Sequence, residues 1–381
     1  MKKLFIILGF LGIFVIGFLF LNKDNLFGDL KKNEKNEKSV FSEELFGKYY
    51  REAEKVLKKM TLEEKVGQLF LVRYDKNLAV KYINNYHVGG FILFSKDFQN
   101  HNRQSIKEEL NHLQVVSKVH LILGVDEEGG IVTRVSRYPN FRNERFLSSQ
   151  EIYELGGYEL LEKTEKEKGE LLLSLGLNLN LAPVADVSVD PNDFIYSRSF
   201  GKDAVQTAEY IKNMVGYAKE VGISSSLKHF PGYGNNVDTH TGISIDNRSY
   251  ENFLENDFLP FKSGIEMGVP TILVSHNIIN CIDDKYPATL SEKVIGELRN
   301  NLGFSGIIIT DDLSMGAVSQ YVNEGNAATL AVSAGNDMII TSDLEEMYDS
   351  ILKALEDKSF SEEKIDLAVR RILAWKIAYK I

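Results

Sequence analysis

The stretch of residues 227–242 (LKHFPGYGNNVDTHTG) concentrates side chains that can carry out acid–base chemistry. Lys228 and His229 precede a loop rich in Pro and Gly, and Asp238 and His240 follow two positions apart. In an extended loop, that spacing places both side chains on one side of the chain. A carboxylate beside an imidazole orients the ring and raises its basicity, which suits a general acid/base near neutral pH. An Asx-type turn would explain Asp238 alone, but not the combined run.

A second candidate is the carboxylate of Asp311, within residues 306–315 (GIIITDDLSM). Asp311 is the first carboxylate after an apolar, β-branched run. A carboxylate in that position can attack an electrophilic carbon and form a covalent ester intermediate. We expect its neighbour Asp312 to cap the next helix, because Asp is a preferred N-cap. The alternative is that both aspartates cap that helix.

Two further runs offer groups that suit hydrogen bonding to sugar hydroxyls. In residues 124–134 (GVDEEGGIVTR), Asp126 ends a predicted strand, Gly129 and Gly130 allow a tight turn, and Arg134 can return toward the strand end. Arg198 lies in residues 195–201 (IYSRSFG), after the fourth predicted strand. Carboxylates accept hydrogen bonds and guanidinium groups donate them. Each arginine alone could equally be an ordinary surface residue.

The elements that position these residues follow from an alternation along the chain. From residue 42 onward, short runs rich in apolar and β-branched residues are followed by charged, helix-like stretches. Near-continuous apolar runs are typical of strands buried on both faces. Eight strand–helix pairs predict an α/β protein with a parallel (β/α)₈ TIM-type barrel, closed by a last helix over residues 362–379. The predicted strands are residues 67–74, 89–94, 120–126, 177–187, 223–229, 271–276, 305–310 and 337–342.

A barrel of this kind carries its active site at the carboxyl ends of the strands. We therefore expect the polar residues that end the predicted strands to share one mouth. Any single one could be a helix cap, but five strand ends together favour a site. These residues are Asp126, Asp186, Lys228, His229, His276 and Asp311.

The amino terminus has a different character from the rest of the 381 residues. Residues 4–21 are free of charge and follow Lys2 and Lys3, and such a run is just long enough to span a ~30 Å hydrocarbon core. We predict a membrane anchor over residues 1–21, a polar tether over 22–41 and the barrel over 42–381. The lysines place the barrel on the extracytoplasmic side. The alternative is a cleaved signal segment and a secreted protein.

Charge and composition exclude several classes. The net charge of −10 divides into +3 over residues 1–40 and −13 over the remainder. An acidic folded part disfavours nucleic acid as a partner. The 26% charged and 44% hydrophobic residues exclude collagen-like and coiled-coil classes. Cys281 is the single cysteine, so no internal disulfide can form.

The motifs KHFPGYGNNVDTHTG, TDDLSM, GVDEEGG, MTLEEKVGQLF and VGGFILF resemble family 3 glycoside hydrolases, and more narrowly the bacterial β-N-acetylhexosaminidases of that family. The resemblance runs from about Leu57 to the carboxyl terminus. It implies a (β/α)₈ barrel and a retaining release of terminal N-acetylglucosamine, with no metal or organic cofactor. It matches the nucleophile to Asp311 and the acid/base dyad to Asp238 and His240. The implied sugar-contacting residues are Asp126, Arg134, Arg198, Lys228 and His229.

Two departures from the family pattern lie in the same loop. Family members often carry His where this chain has Tyr233, and Ser where it has Thr239. Threonine keeps the hydroxyl, and Tyr233 removes no catalytic role. With the predicted anchor, the resemblance suggests peptidoglycan fragments as substrate and an enzyme that acts as a monomer.

Four alternatives stay open at this point. One is a β-glucosidase of the same family, and another is a phosphorolytic enzyme, since a histidine acid/base repels phosphate less than a glutamate does. A third is a metal-dependent barrel hydrolase. A fourth, non-enzymatic alternative is a membrane-tethered protein that binds wall sugars. The metal ligands of the third would be His229, His240, His276, Asp126 and Asp311.

Overall fold

The computed structural model describes residues 44–236, 244–315, 318, 322 and 324–381. By its internal contacts the chain divides into Met1–Lys48 and Tyr49–Ile381. The predicted anchor (1–21) and tether (22–41) lie outside the described residues. Within those residues, no helix combines the length and the apolar character needed to cross a membrane.

Eight parallel strands close into a barrel in the order β1-β10-β9-β7-β5-β4-β3-β2, and each falls on one of the eight predicted runs. The predicted (β/α)₈ barrel is therefore confirmed. Two short strands, β6 and β8, pair with each other outside it. The strands are β1 Phe70–Arg73, β2 Gly90–Leu93, β3 Ile122–Val125, β4 Leu179–Asn180, β5 Ser224–Phe230, β6 Ile245–Asp246, β7 Thr271–Val274, β8 Ile278–Ile279, β9 Ile307–Asp312 and β10 Met338–Thr341.

Two strands differ from the predicted runs in a way that bears on the mouth of the barrel. β4 is shorter, because Pro183 has no N–H to donate to a ladder, and Val184 then pairs with Lys228 as an isolated bridge. β9 is shifted by two residues toward its carboxyl end relative to the predicted run and includes Asp311 and Asp312. Both differences place polar residues at the mouth of the barrel.

Helices follow most of the barrel strands, as the alternation predicts. They are α1 Tyr50–Leu57, α2 Leu62–Gln68, α3 Ala79–Tyr86, α4 Arg103–Val116, α5 Ser149–Ser174, α6 Ala204–Val221, α7 Tyr250–Asn252, α8 Phe258–Met267, α9 Glu292–Gly296, α10 Glu324–Ala334, α11 Leu344–Glu356 and α12 Glu362–Ala378. α6 shows how local sequence sets the ends. The side chain of Asp203 accepts a hydrogen bond from the Gln206 N–H at the start, and Gly222 ends the helix at φ 87°.

The amino-terminal end of the barrel is closed by α12, which buries Trp375 and Lys376. The Trp375 indole N–H donates to Ser224 Oγ at 2.8 Å. Lys376 Nζ donates to Gln68 Oε1 at 2.7 Å and to the Gly89 carbonyl at 3.0 Å. Burial lowers the pKa of Lys376 to about 7, because it removes the hydration of the charged ammonium group. This end is packed, and the opposite end holds the cavity.

Candidate active site

A cavity of about 330 Å³ opens at the carboxyl ends of the barrel strands. It brings together six residues that the sequence singles out. They are Asp126, Arg134, Arg198, Lys228, His229 and Asp311. Glu128, Arg73, Phe94, Asp312 and Met315 line it as well. The expectation of a shared mouth thus holds for these strand ends, while the role of each residue stays a prediction.

A buried ionic network forms one wall of the cavity. Lys228 Nζ lies 2.6 Å from Asp126 Oδ1 and 2.6 Å from Glu128 Oε1, and the Lys228 side chain is 3% exposed. Arg198 binds the Glu128 carboxylate through two hydrogen bonds, at 2.8 and 3.0 Å. Paired, charge-assisted contacts offset the loss of hydration of these ions.

The network sets the charge state of Glu128. Burial alone would raise the pKa of this carboxyl, but the charges of Lys228 and Arg198 hold it well below its usual range. Burial likewise opposes the charge of Arg198, and Glu128 raises the pKa of its guanidinium above the usual range. Glu128 and Arg198 are therefore both charged at neutral pH, and they present a fixed acceptor and a fixed donor to a polar ligand.

His229 is held on this wall by Asp186 from behind. Its Nδ1 lies 2.7 Å from Asp186 Oδ2, and its Nε2 lies 3.3 Å from Arg198 Nη2. Arginine only donates, so Nε2 accepts and Nδ1–H donates to Asp186. This pattern favours one tautomer of the His229 ring. The expectation that Asp186 faces the mouth is wrong, because its carboxylate is buried behind the ring.

His276 also lies behind the cavity, where it supports β9, contrary to the expected place at the mouth. Its Nε2 donates to the Asp312 carbonyl at 3.0 Å, and its Nδ1 lies 2.8 Å from Thr289 Oγ1. Both ring nitrogens of His276 thus form hydrogen bonds within the protein. Among the described residues, no group of three or more His, Cys, Asp and Glu side chains is arranged to hold a metal ion.

Asp311 and Asp312 end β9 and both line the cavity. The Asp312 carboxylate accepts hydrogen bonds in the turn that follows β9, and its expected role as a helix cap stays a prediction, because residues 316, 317 and 319–321 lie outside the described part of the chain. Its Oδ1 accepts from the Ser314 N–H at 2.9 Å, and its Oδ2 accepts from Ser342 Oγ at 3.2 Å. The Asp312 carboxylate is therefore committed to the local turn, while Asp311 Oδ1 accepts the Asp312 N–H at 2.8 Å.

Glu127 is a buried carboxylate that the sequence did not single out. It accepts the N–H groups of Arg134 and Val135, each at 2.7 Å, and of Ser136 at 3.2 Å. These hydrogen bonds stabilise the loop that places Arg134 at the cavity. The tight turn predicted at Gly129 and Gly130 is confirmed, with φ of 111° and 57°.

Glu128 and Arg73 are charged residues that line the cavity and that the sequence analysis did not single out. The available signal for Glu128 was the run of three carboxylates, DEE, directly after β3. Arg73 ends β1, and its guanidinium lies 4.5 Å from the ring centre of Phe94, while Arg134 lies 5.8 Å from the same ring. An arginine ending a strand resembles many surface arginines, so no pattern distinguished it.

Asp238 and His240 lie outside the described residues, which stop at Asn236 and resume at Ser244. The dyad therefore stays a prediction from the sequence. The residues on both sides of it are described, and residues 230–236 run directly from the barrel strand that carries Lys228 and His229.

Comparisons with known proteins agree with this architecture. Residues 61–375 match the family described as "Glycosyl hydrolase family 3 N terminal domain". A β-hexosaminidase of Hydrogenovibrio crunogenus is 30% identical over 277 residues, which cover 70% of this chain and 74% of that protein. β-Hexosaminidase A of Pseudoalteromonas piscicida is 29% identical over 324 residues, which cover 77% of this chain. The chain spans 54% of that relative's length.

A solved structure shows the same arrangement. The family 3 β-N-acetylglucosaminidase of a Paenibacillus species superposes with a TM-score of 0.78 at 31% identity, covering 84% of this chain and 63% of that one. The matched family covers most of the described barrel, and the cavity lies at the barrel end where such enzymes act. The chain therefore belongs to glycosyl hydrolase family 3, and its resemblance is to the β-hexosaminidases of that family.

Proposed function

We propose that this chain is a retaining exo-β-N-acetylglucosaminidase that releases terminal N-acetylglucosamine through a covalent intermediate on Asp311. One observation carries the proposal. In the closed strand order, β9 and β3 lie on opposite sides of the barrel, so Asp311 stands across the cavity from Asp126 and its ionic network. A sugar held by the network then presents its anomeric carbon to the opposite carboxylate. The similarity to the β-N-acetylglucosaminidase of the Paenibacillus species supports N-acetylglucosamine as that sugar.

The cavity wall matches a sugar in chemistry as well as in position. Asp126 and Glu128 offer carboxylate oxygens, while Lys228, Arg198 and Arg134 offer N–H donors. The buried Nε of Arg134 has no hydrogen-bond partner among the atoms described. An unpaired buried donor is costly, and a sugar oxygen in the cavity would satisfy it.

The reaction then takes two steps. Asp311 attacks the anomeric carbon and the bond to the leaving oxygen breaks, while His240, oriented by Asp238, gives that oxygen its proton. Water next attacks the ester, its proton passes to His240, and Asp311 is released as a carboxylate. Most retaining glycosidases use a second carboxylate where this chain would use a histidine.

We further propose peptidoglycan fragments as the natural substrate. The predicted anchor in residues 1–21 would hold the barrel outside the cell membrane, where such glycans are found. Arg73 supports this choice, because it is an exposed cation at the cavity, and no salt bridge joins it to a carboxylate among the described side chains. A carboxylate on the sugar or peptide beyond the scissile bond would suit it.

The decisive experiment compares an aryl β-N-acetylglucosaminide with the matching aryl β-glucoside. We expect cleavage of the first at least about tenfold faster, and loss of turnover in Asp311→Ala while N-acetylglucosamine still binds. Preference for the glucoside would overturn the sugar assignment. Turnover that rises with phosphate and yields a sugar phosphate would identify phosphorolysis. Binding without turnover in the wild-type protein would favour the wall-sugar-binding alternative.

A further inference from the structure

The two described segments that flank residues 237–243 are joined by a buried ion-pair cluster. One segment is residues 231–236, which follows β5, and the other begins at Ser244 and continues through β6. We call the set Asp246, Arg248 and Asp257 the Arg248 cluster. None of the three residues of the Arg248 cluster lines the cavity.

Arg248 contacts both segments and a helical turn at once. Its Nη2 lies 2.7 Å from Asp246 Oδ2 and 3.3 Å from the Gly232 carbonyl, and its Nη1 lies 2.7 Å from Asp257 Oδ2. The guanidinium also lies 4.5 Å from the ring centre of Phe253. A single planar group thus links the segment leaving the barrel, the returning segment and the turn Phe253–Asp257.

Asn236 provides a second tie at the last described position before residue 237. Its Nδ2 donates to Asp246 Oδ2 at 2.6 Å and to the Tyr233 carbonyl at 2.8 Å. The returning segment is fixed in turn, because the Ile278 N–H donates to the Ser244 carbonyl at 2.8 Å and β6 pairs with β8. Both ends of residues 237–243 are therefore held against one framework.

Two glycines of the loop are explained by the same cluster. A Cβ on Gly232, at φ 125°, would lie 2.2 Å from Asp257 Oδ1. A Cβ on Gly234, at φ 53°, would lie 2.4 Å from Arg248 Cζ. Such distances are far below contact distance, so only glycine lets the backbone approach the Arg248 cluster this closely.

The first segment is also tied to the cavity wall. The Tyr233 N–H donates to Asp186 Oδ1 at 2.8 Å, and Asp186 holds the His229 ring through its other oxygen. The spacing between the cavity wall and the ends of residues 237–243 is thus set by bonds among described residues. Buried ion pairs contribute little net stability, but they can enforce one geometry.

We propose that Arg248 and Asn236 are positioning residues for the acid/base step. They fix the described segments on either side of residues 237–243, to which the sequence assigns the acid/base pair Asp238 and His240. This inference rests on the proposed function, and neither residue contacts the reacting atoms. A displacement of about 1 Å in a reacting group can cost roughly 10²-fold in rate.

The test measures kcat/KM for two β-N-acetylglucosaminides, one with an activated aryl leaving group and one with a poor alkyl leaving group. Only the second depends strongly on proton donation by His240. We expect Arg248→Lys to lower kcat/KM for the alkyl substrate by roughly 10- to 100-fold and for the aryl substrate by less than about threefold. Lysine keeps the charge but cannot bridge three acceptors in one plane. Asn236→Ala, which leaves the ion pairs intact, should act in the same direction by about three- to tenfold.

The His240→Ala background gives a second readout that a merely structural role would not move. In His240→Ala, adding Arg248→Lys should leave the ratio of the two kcat/KM values unchanged. The reason is that proton donation by His240, the step that Arg248 serves, is already lost. Arg299→Lys is the matched control. Arg299 pairs with Asp337 and binds the carbonyls of Phe304 and Gly306 at 3.0 and 2.6 Å, away from the cavity. Its substitution should leave the substrate ratio at the wild-type value.

Equal losses on both substrates, or a further change of the ratio in His240→Ala, would overturn the positioning role. A shifted ratio in Arg299→Lys would do the same. Failure of the wild-type protein to cleave either substrate would instead count against the proposed function, so the two failures are distinguishable.

Discussion

Arg198 binds Glu128 through two hydrogen bonds, although the two residues lie 70 positions apart in the chain. Glu128 also pairs with Lys228, which in turn pairs with Asp126. The four residues therefore form one buried ionic network that faces the cavity. Glu128 is the shared partner of both cations. It is therefore the residue on which the wall of the candidate active site depends most directly.

Glu128→Gln should weaken both binding and folding. The amide removes the negative charge that Lys228 and Arg198 share, and breaking a buried pair in this way costs about 3–5 kcal/mol. We expect a fall in the free energy of unfolding and at least a 10²-fold loss of kcat/KM. Urea denaturation and steady-state kinetics measure the two effects. Glu144→Gln, at an exposed position, is the control and should change neither.

Asp186→Asn should lower activity through the tautomer of His229. The carboxylate accepts the Nδ1–H, whereas an amide nitrogen turned toward the ring donates and moves the proton to Nε2. An Nε2–H would then face the Arg198 guanidinium, which also donates. We expect about a 10²-fold fall in kcat/KM with a small change in thermal stability. NMR of the imidazole nitrogens reports the tautomer, and an unchanged ring would contradict this account.

Lys376→Met should change how stability depends on pH. Burial lowers the pKa of Lys376 from 10.5 to about 7, so between these pH values the unfolded chain binds more protons than the folded one. Wild-type stability therefore rises with pH across this window, and the full cost of the buried charge is present below pH 7. The methionine variant should lack this rise and gain about 2 kcal/mol at pH 6 relative to wild type, after the loss of two hydrogen bonds.

Denaturation at pH 6 and pH 9 checks the Lys376 prediction. Lys168→Met is the contrasting variant, because buried Lys168 pairs with Glu165 at 2.9 Å and its loss leaves a carboxylate unpaired. That variant should be less stable than wild type at both pH values. A pH dependence in Lys376→Met equal to that of wild type would show that this lysine does not titrate in the window.

Arg73→Gln should act selectively on substrates that carry a carboxylate beyond the scissile bond. We expect roughly a tenfold fall in kcat/KM for such a substrate and no change for the neutral aryl glycoside, since only the first meets the guanidinium. The effect should shrink in high salt because an exposed pair is screened. Arg137→Gln is the control, as Arg137 binds Ser95 Oγ at 3.1 Å and does not line the cavity. A tenfold loss on the neutral substrate would mean that Arg73 serves another role.

The predicted strands show how far local sequence reaches. Short apolar, β-branched runs such as Ile122–Val125 and Thr271–Val274 are typical of parallel strands that are buried on both faces. The alternation with helices then leaves few topologies, and the barrel follows. The resemblance to a known family added the chemistry at Asp311 and pointed to the sugar-binding set.

The side chains that face the cavity were less accessible to sequence reasoning. Asp126, Glu127 and Glu128 are consecutive carboxylates, yet Glu127 folds the loop, while the other two pair with Lys228. Asp186 and His276 end predicted strands like their neighbours but support the site from behind. Whether such a side chain faces the cavity or supports it from behind depends on its hydrogen-bond or ion-pair partner. That partner lies tens of positions away in the chain.

The sequence by itself determined the barrel, the acidic domain and the motifs that mark the family, because burial periodicity and strand-end chemistry are local properties. Only the tertiary structure decided that Glu128 joins Arg198 to Lys228 and that Arg248 ties both ends of residues 237–243 together. These contacts depend on how the closed barrel brings distant loops to one mouth. That placement is set by the strand order and stagger of the whole sheet rather than by any short segment.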